Sequence, residues 1–66
     1  MNIELRFLQK AVEDRNYVSF SYNNEKFTKI KPLKISLLDD IYVLRTDIKE
    51  FEFNKISNIK ILKNKF

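Results

Sequence analysis

The side chains of this sequence that can bind a charged ligand at a surface are cations and aromatic rings. The densest basic run surrounds Phe27 and comprises Lys26, Lys29, Lys31 and Lys34. Because alternate residues of a strand share a face, Phe27, Lys29 and Lys31 are predicted to lie together. Lysines beside an aromatic ring suit single-stranded nucleic acid, whose phosphates attract cations and whose bases stack on rings. The alternative is an edge strand that lysines protect against aggregation.

Two tyrosines and one arginine are further candidates. Tyr22 is in phase with core-type residues and is predicted to be buried, whereas Tyr42 is out of phase with its neighbours and either set can face the core. Arg45 is the only arginine on the predicted strands, and its guanidinium can bind phosphate or carboxylate through two parallel hydrogen bonds. The alternative is a surface ion pair with Asp47 or Asp39, worth ~0–1 kcal/mol.

The residue types that are missing exclude most catalytic chemistry. The sequence contains no His, no Cys and no Gly. Disulfides, Cys/His zinc sites, Ser-His-Asp units and Gly-rich phosphate loops are therefore excluded. The acidic pair Asp39-Asp40 is typical of a turn, and Glu50 and Glu52 are typical of a solvated strand face. We therefore expect no enzyme, no metal and no cofactor.

Composition predicts one small folded domain over residues 1–66. Hydrophobic residues make up 44% and charged residues 33% of the 66 residues, with a net charge of +4 and a pI near 9.5. This surplus favours an anionic partner, and it divides evenly between the two halves of the chain. Since neither a membrane-spanning apolar run nor a secretion signal is visible, a cytoplasmic location without a membrane partner is expected.

Apolar residues at helical spacing, Leu5, Leu8 and Val12, predict a helix over residues 3–14 with Asn2 as its N-cap. Asp14, Arg15 and Asn16 are predicted to end the helix, because Asn tolerates the left-handed conformation that Gly usually supplies after a helix.

The predicted helix is apolar on more than one side. Phe7 and Ala11 lie one position away from the main apolar stripe. One side can therefore plug a barrel, while the other can dock a partner domain.

The hydrophobic period changes from 3.6 to 2 at Val18, which indicates strands. The predicted strands are Val18–Tyr22, Glu25–Leu33, Ile41–Arg45, a short one around Phe51–Phe53, and Ile59–Leu62. The pairs Asn23-Asn24 and Asp39-Asp40 are predicted to be tight turns.

A single helical turn over 55–58, capped by Asn54, is expected before the last strand, and residues 63–66 are expected to fray. One helix and about five antiparallel strands predict a mainly β fold, either a small barrel or a strongly bent sheet. The predicted core is Leu8, Val18, Phe20, Ile30 and Ile56.

Several short motifs in this order resemble the WYL domain family, which is named for a Trp-Tyr-Leu triplet in its middle strand. The residues that carry the resemblance are Ala11-Val12, Val18, Phe20, Tyr22, Ile30, Pro32-Leu33, Ile41-Tyr42-Val43 and Phe51 to Ile56. The resemblance covers about Leu5 to Leu62. It implies an Sm-like or SH3-like barrel with an N-terminal helix. It also implies a sensing module of bacterial transcription regulators and some helicases that binds single-stranded nucleic acid or other anionic ligands.

The resemblance is incomplete at the family's arginine positions. Lys49 and Lys55 stand at two of them, and Thr28 and Glu52 stand at two others. Lysine lacks the planar fork with which arginine binds phosphate through two hydrogen bonds.

The sequence therefore predicts a non-catalytic regulatory module that binds single-stranded nucleic acid, such as single-stranded DNA, or an anionic nucleotide-like ligand. It is expected to belong to a larger bacterial DNA-acting system, either as a domain of a longer protein such as a helicase or as a free-standing small member. The expected binding residues are Lys29, Lys31, Tyr42, Arg45, Lys49 and Lys55. The alternative is a structural domain for protein–protein interaction or homo-oligomerisation. Salt dependence separates the two, because nucleic-acid binding releases counterions and apolar docking does not.

Overall fold

The strands of this protein form two antiparallel sheets that share one helix. A computed structural model describes residues 3–66, so the predicted N-cap Asn2 lies outside the described residues. The elements are α1 (Ile3–Asp14), β1 (Asn16–Tyr22), β2 (Glu25–Ile30), β3 (Pro32–Leu38), β4 (Ile41–Thr46), β5 (Glu50–Glu52), a 3-10 helix (Phe53–Lys55) and β6 (Ile56–Lys65). Within residues 3–66 no helix has the length and apolar character needed to cross a membrane.

The first sheet has the strand order β2-β1-β6 and the second sheet has the order β3-β4-β5. The prediction of a mainly β fold with one helix is confirmed. No ladder of hydrogen bonds joins the two sheets in the described part of the chain, so a closed barrel is not formed.

The chain passes between the sheets at Lys31, where a single strand, Glu25–Leu33, was predicted. Pro32 has no N–H to donate to a ladder. The backbone N–H of Lys31 donates instead to Asp47 Oδ1 at 3.1 Å. The ladder with β1 therefore ends at Ile30, and β3 continues as a separate strand of the second sheet.

Helix α1 packs against both sheets through Leu5, Leu8 and Ala11, which are buried. The left-handed residue after the helix is Arg15, with φ of 60°, and not Asn16 as predicted. Asn16 already belongs to β1, and its side-chain amide donates to the carbonyl oxygen of Leu62 at 3.0 Å.

The core lies between the helix and the inner faces of the sheets. Four of the five predicted core residues are buried: Leu8, Val18, Phe20 and Ile30. The fifth, Ile56, is only half-buried and packs against the cluster from its margin. At the centre, the rings of Phe20 and Phe51 meet edge to face with centroids 4.9 Å apart, a favourable geometry for aromatic pairs.

A β-bulge in β2 changes which side chains face outward. Val18 pairs with Ile30 and Phe20 pairs with Phe27, so β2 has one residue more than β1 over this stretch. Lys29, at the bulge, has a positive φ of 53°. Phe27 therefore turns toward Phe20 and the core, while the Lys29 ammonium lies over the ring of Tyr17. The predicted common face of Phe27 and Lys29 is wrong, because the bulge breaks the two-residue period.

The C-terminal strand is longer than predicted. β6 starts directly after a helical turn over Phe53–Lys55, so the turn expected over 55–58 is displaced toward the N-terminus. Asn54 lies inside this turn, and the capping residue is Glu52, which makes no side-chain cap. Residues 63–65, which were expected to fray, belong to β6, and the N–H of Phe66 donates to the Arg15 carbonyl oxygen at 2.9 Å.

Both predicted turns are confirmed, and both pass through two residues with positive φ, which had been expected only at Asn23-Asn24. Asn23 and Asn24 have φ of 50° and 66°, and Asp39 and Asp40 have φ of 49° and 64°. This is the mirror-image turn whose twist matches that of paired strands, and Asn-Gly fits it best.

The double substitution Asp39→Asn with Asp40→Gly is expected to raise the free energy of unfolding by about 1 kcal/mol. Gly adopts positive φ without strain, and two adjacent carboxylates are removed. Urea unfolding should show a higher midpoint with an unchanged slope. The control, Asp39→Ala with Asp40→Ala, removes the same charges but should lower stability, and equal stability of the two variants would contradict the turn argument.

Candidate nucleic-acid interface

The net positive charge of the chain is concentrated in one sheet. Strands β1, β2 and β6 contain one acidic residue, Glu25, and five lysines, which are Lys26, Lys29, Lys60, Lys63 and Lys65. This surplus of four equals the net charge of +4, and the remaining residues balance with eight basic and eight acidic side chains. Because β6 comes from the C-terminal half and β1 and β2 from the N-terminal half, the even division along the sequence hid this concentration.

The strand register shows which side chains share the outer face of the first sheet, the side away from the core. Ser21 pairs with Lys26, and Ser19 pairs with Lys60. Paired residues of antiparallel strands project to the same side. Glu25 pairs with Tyr22 and lies on the opposite, core-facing side. The outer face therefore collects lysines and hydroxyl groups.

A concavity of about 380 Å³ occupies the middle of this face. It is lined by Ser19, Phe20, Ser21, Lys26, Thr28, Asn58 and Lys60. The serines are short and form the floor, with Ser19 only 8% exposed. The lysines are long and form the walls on the two neighbouring strands. Hydroxyl and ammonium donors converging on a hollow are suited to an anion.

Aromatic side chains lie at the other end of the same face. Tyr17 is in phase with Ser19 and Ser21 on β1, and its ring centroid is 5.5 Å from that of Phe66. The Lys29 ammonium lies 5.5 Å from the Tyr17 ring centroid, and the guanidinium carbon of Arg15 lies 5.5 Å from that of Phe66. Four residue steps of a strand, about 13 Å, separate Tyr17 from Ser21. The outer face thus carries rings and cations at one end and the basic, serine-floored concavity at the other.

Of the sequence-predicted binding residues, Lys29 lies on this face. Lys31 is half-buried at the crossing between the sheets, and Tyr42 is 38% exposed on β4 of the second sheet. Arg45 forms an ion pair with Glu50 at 3.4 Å. The alternative prediction for Arg45 was a surface ion pair, but with Asp47 or Asp39. The predicted set is therefore distributed over separate elements.

Lys55 contacts the carboxylate of Glu52 at 3.1 Å. The hydrogen bond to Glu52 raises the pKa of the Lys55 ammonium above its ordinary value, and the negative charge of that carboxylate raises it further. The ammonium therefore stays protonated, but a carboxylate already neutralises much of its attraction for an anion.

Lys49 covers the aromatic core. Its ammonium lies 5.2 Å from the ring centroid of Phe51, 5.4 Å from that of Phe27 and 5.8 Å from that of Tyr22. The Thr46 hydroxyl holds the turn by donating to the Lys49 carbonyl oxygen at 2.6 Å and accepting its N–H at 3.2 Å. Cation–π attraction at such distances stabilises the lysine against the rings.

The binding residues predicted from the sequence do not include Tyr17, Ser19, Ser21 or Lys60. Lys26 belonged to the predicted basic run but not to the predicted binding residues. A signal existed for the β1 residues, because Tyr17 is in phase with the two serines on the polar side of an alternating strand. Nothing in the local sequence pairs Lys60 with Ser19, because that contact joins residues far apart in the chain.

No model of a known protein family matches the sequence, and no characterised protein or solved structure is significantly similar to it. The WYL resemblance therefore stays a prediction, and the candidate interface rests on its geometry and charge.

Proposed function

We propose that this protein is a non-catalytic module that binds single-stranded nucleic acid on the outer face of its first sheet. The observation that carries the proposal is that the whole surplus of positive charge belongs to the strands of this sheet. A polyanion is bound by lysines that lie close enough together to contact the same ligand. Lysines gathered on one sheet meet this condition, whereas lysines dispersed over the surface do not.

The chemistry of the face favours single-stranded nucleic acid over a small anionic ligand. Lys26, Lys29 and Lys60 can contact phosphates, while Tyr17 offers a ring on which a base can stack. The serine floor donates hydrogen bonds to phosphate or sugar oxygens. With about three phosphate contacts, the logarithm of the affinity is expected to fall with a slope of about −2 against the logarithm of salt concentration.

The same proposal accommodates the resemblance to the WYL domain. Two sheets linked at Lys31 and sharing one helix are compatible with an opened Sm-like or SH3-like barrel. Thr28, at a position where that family commonly has Arg, lines the concavity. We infer that the module serves a larger bacterial DNA-acting protein, a transcription regulator or a helicase, as the resemblance implies.

Protein docking is the second candidate function. It is favoured by large apolar side chains that remain exposed away from the basic face, among them Phe7 at 57% and Leu38 at 57%. Exposed apolar patches on a small domain commonly mark contacts with other proteins.

Substitution of Tyr17 by Ala is expected to weaken binding of a fluorescein-labelled oligothymidylate by about tenfold, because one stacked base contributes ~1–3 kcal/mol. Tyr17→Phe should bind like the native protein, because it keeps the ring. Fluorescence anisotropy at low salt measures both affinities.

The matched control is Tyr42→Ala, which removes an exposed tyrosine from the second sheet and should leave the affinity within twofold. Thermal unfolding followed by circular dichroism establishes that each variant is folded. An equal loss on removing Tyr42, or no binding by the native protein at low salt, would contradict the proposed face.

A further inference from the structure

Among the exposed apolar side chains of residues 3–66, two groups away from the outer face of the first sheet are bordered by charges of opposite sign. The first, which we call the helix patch, consists of Ile3, Arg6, Phe7 and Lys10 around a groove of about 420 Å³. Its apolar members, Ile3 and Phe7, are 65% and 57% exposed. Two cations therefore border an apolar groove on the solvent side of α1.

The second, which we call the hairpin patch, consists of Leu37, Tyr42 and the turn residues Asp39 and Asp40 at the end of the β3–β4 hairpin. Leu37 is 55% exposed and Tyr42 is 38% exposed, and their pairing in the strand register places both side chains on one face of the hairpin. The two aspartates form the turn that joins the strands. Here two anions border an apolar surface.

Both patches have an apolar surface, and the charges that border them are opposite in sign. Within residues 3–66 no ion pair involves Arg6, Asp39 or Asp40. Lys10 contacts Asp14 at 3.6 Å, in a pair that is well exposed and can exchange partners. Each patch thus presents charge that an opposite patch can neutralise, together with apolar area that the contact would remove from water.

We propose that the helix patch of one copy docks on the hairpin patch of a second copy. Contacts between like patches are disfavoured, since two hairpin patches would bring four aspartates together and two helix patches would bring four cations together. The contact therefore joins unlike patches, either reciprocally in a twofold dimer or from copy to copy through single contacts. The nucleic-acid face takes no part in it.

The test is the oligomeric state of the full chain by sedimentation velocity over a range of concentrations. The apparent mass of the native protein should rise above the monomer mass of 8.0 kDa as its concentration increases. Two charge-reversal variants, Arg6→Glu with Lys10→Glu and Asp39→Lys with Asp40→Lys, should each stay monomeric at concentrations where the native protein associates.

An equimolar mixture of the two charge-reversal variants should associate again, because each supplies the patch that the other lacks. The variant Asp39→Asn with Asp40→Gly separates docking from folding, since it is expected to be more stable yet to associate at least tenfold more weakly. Circular dichroism melting verifies that every variant is folded.

Three results would overturn the proposal. One is a native protein that remains at 8.0 kDa at all concentrations up to its solubility limit. Another is association of either charge-reversal variant alone at the native level. The third is a mixture that stays monomeric although both variants are folded and the native protein associates.

Discussion

The double variant Lys26→Glu with Lys60→Glu is expected to lower the affinity for single-stranded DNA by at least about tenfold at low salt and to flatten its salt dependence. These lysines form opposite walls of the serine-floored concavity, on β2 and β6. Each substitution removes a phosphate contact and introduces a repulsive carboxylate, so few counterions remain to be released. Anisotropy titrations of a labelled oligothymidylate at two salt concentrations measure both quantities.

A matched control separates local charge from total charge. Lys34 and Arg45 are register partners on the second sheet, so Lys34→Glu with Arg45→Glu changes a neighbouring pair in the same way. Each of these substitutions changes the charge by two units, so both double variants have a net charge of zero. The control should lose little affinity. If both lose equally, total charge governs binding and the outer face of the first sheet is not the site.

Substitution of Phe20 by Ala is expected to unfold the domain, because truncating a core aromatic costs ~3–5 kcal/mol. Phe20 is 1% exposed, and its ring contacts the rings of Phe27 and Phe51. A chain of 66 residues buries a limited core, so its total stability is expected near the lower end of the ~5–15 kcal/mol range. Circular dichroism and guanidinium unfolding should show the loss of a cooperative transition.

The control for Phe20 is another phenylalanine. Phe7 is 57% exposed on α1, so at concentrations where the protein is monomeric Phe7→Ala should change the free energy of unfolding by no more than about 0.5 kcal/mol. Phe20→Leu, which retains most of the volume, should remain folded with a smaller loss. A melting temperature of Phe20→Ala equal to that of the native protein would show that the ring is not in the core.

Local patterns in the sequence determined most of the elements. Apolar spacing placed the helix, and alternation from Val18 onward placed the first strand, because these periods follow from backbone geometry. The turns at Asn23-Asn24 and Asp39-Asp40 were predictable because those residue types tolerate positive φ. Four core residues were predictable because burial follows the same periods.

Patterns failed where the backbone departs from regular geometry. The bulge at Lys29 inserts one residue into β2 and reverses the faces of Phe27 and Lys29. No glycine or other conventional bulge residue marks the position, so alternation was extended through it. The exchange of sheets at Lys31 was missed similarly, because it depends on a hydrogen bond with Asp47, sixteen residues away.

The composition by itself determined that this protein is basic and lacks His, Cys and Gly. Only the tertiary structure decided where the charge acts. It pairs β6 with β1, so that Lys60 lies beside Ser19. Lys26, on β2, lies at the opposite wall of the same concavity. The tertiary structure also engages Arg45, Lys49 and Lys55 with carboxylates or rings. Charge along a sequence is a sum, whereas attraction for a ligand depends on distance, and distances between remote residues are set by strand pairing.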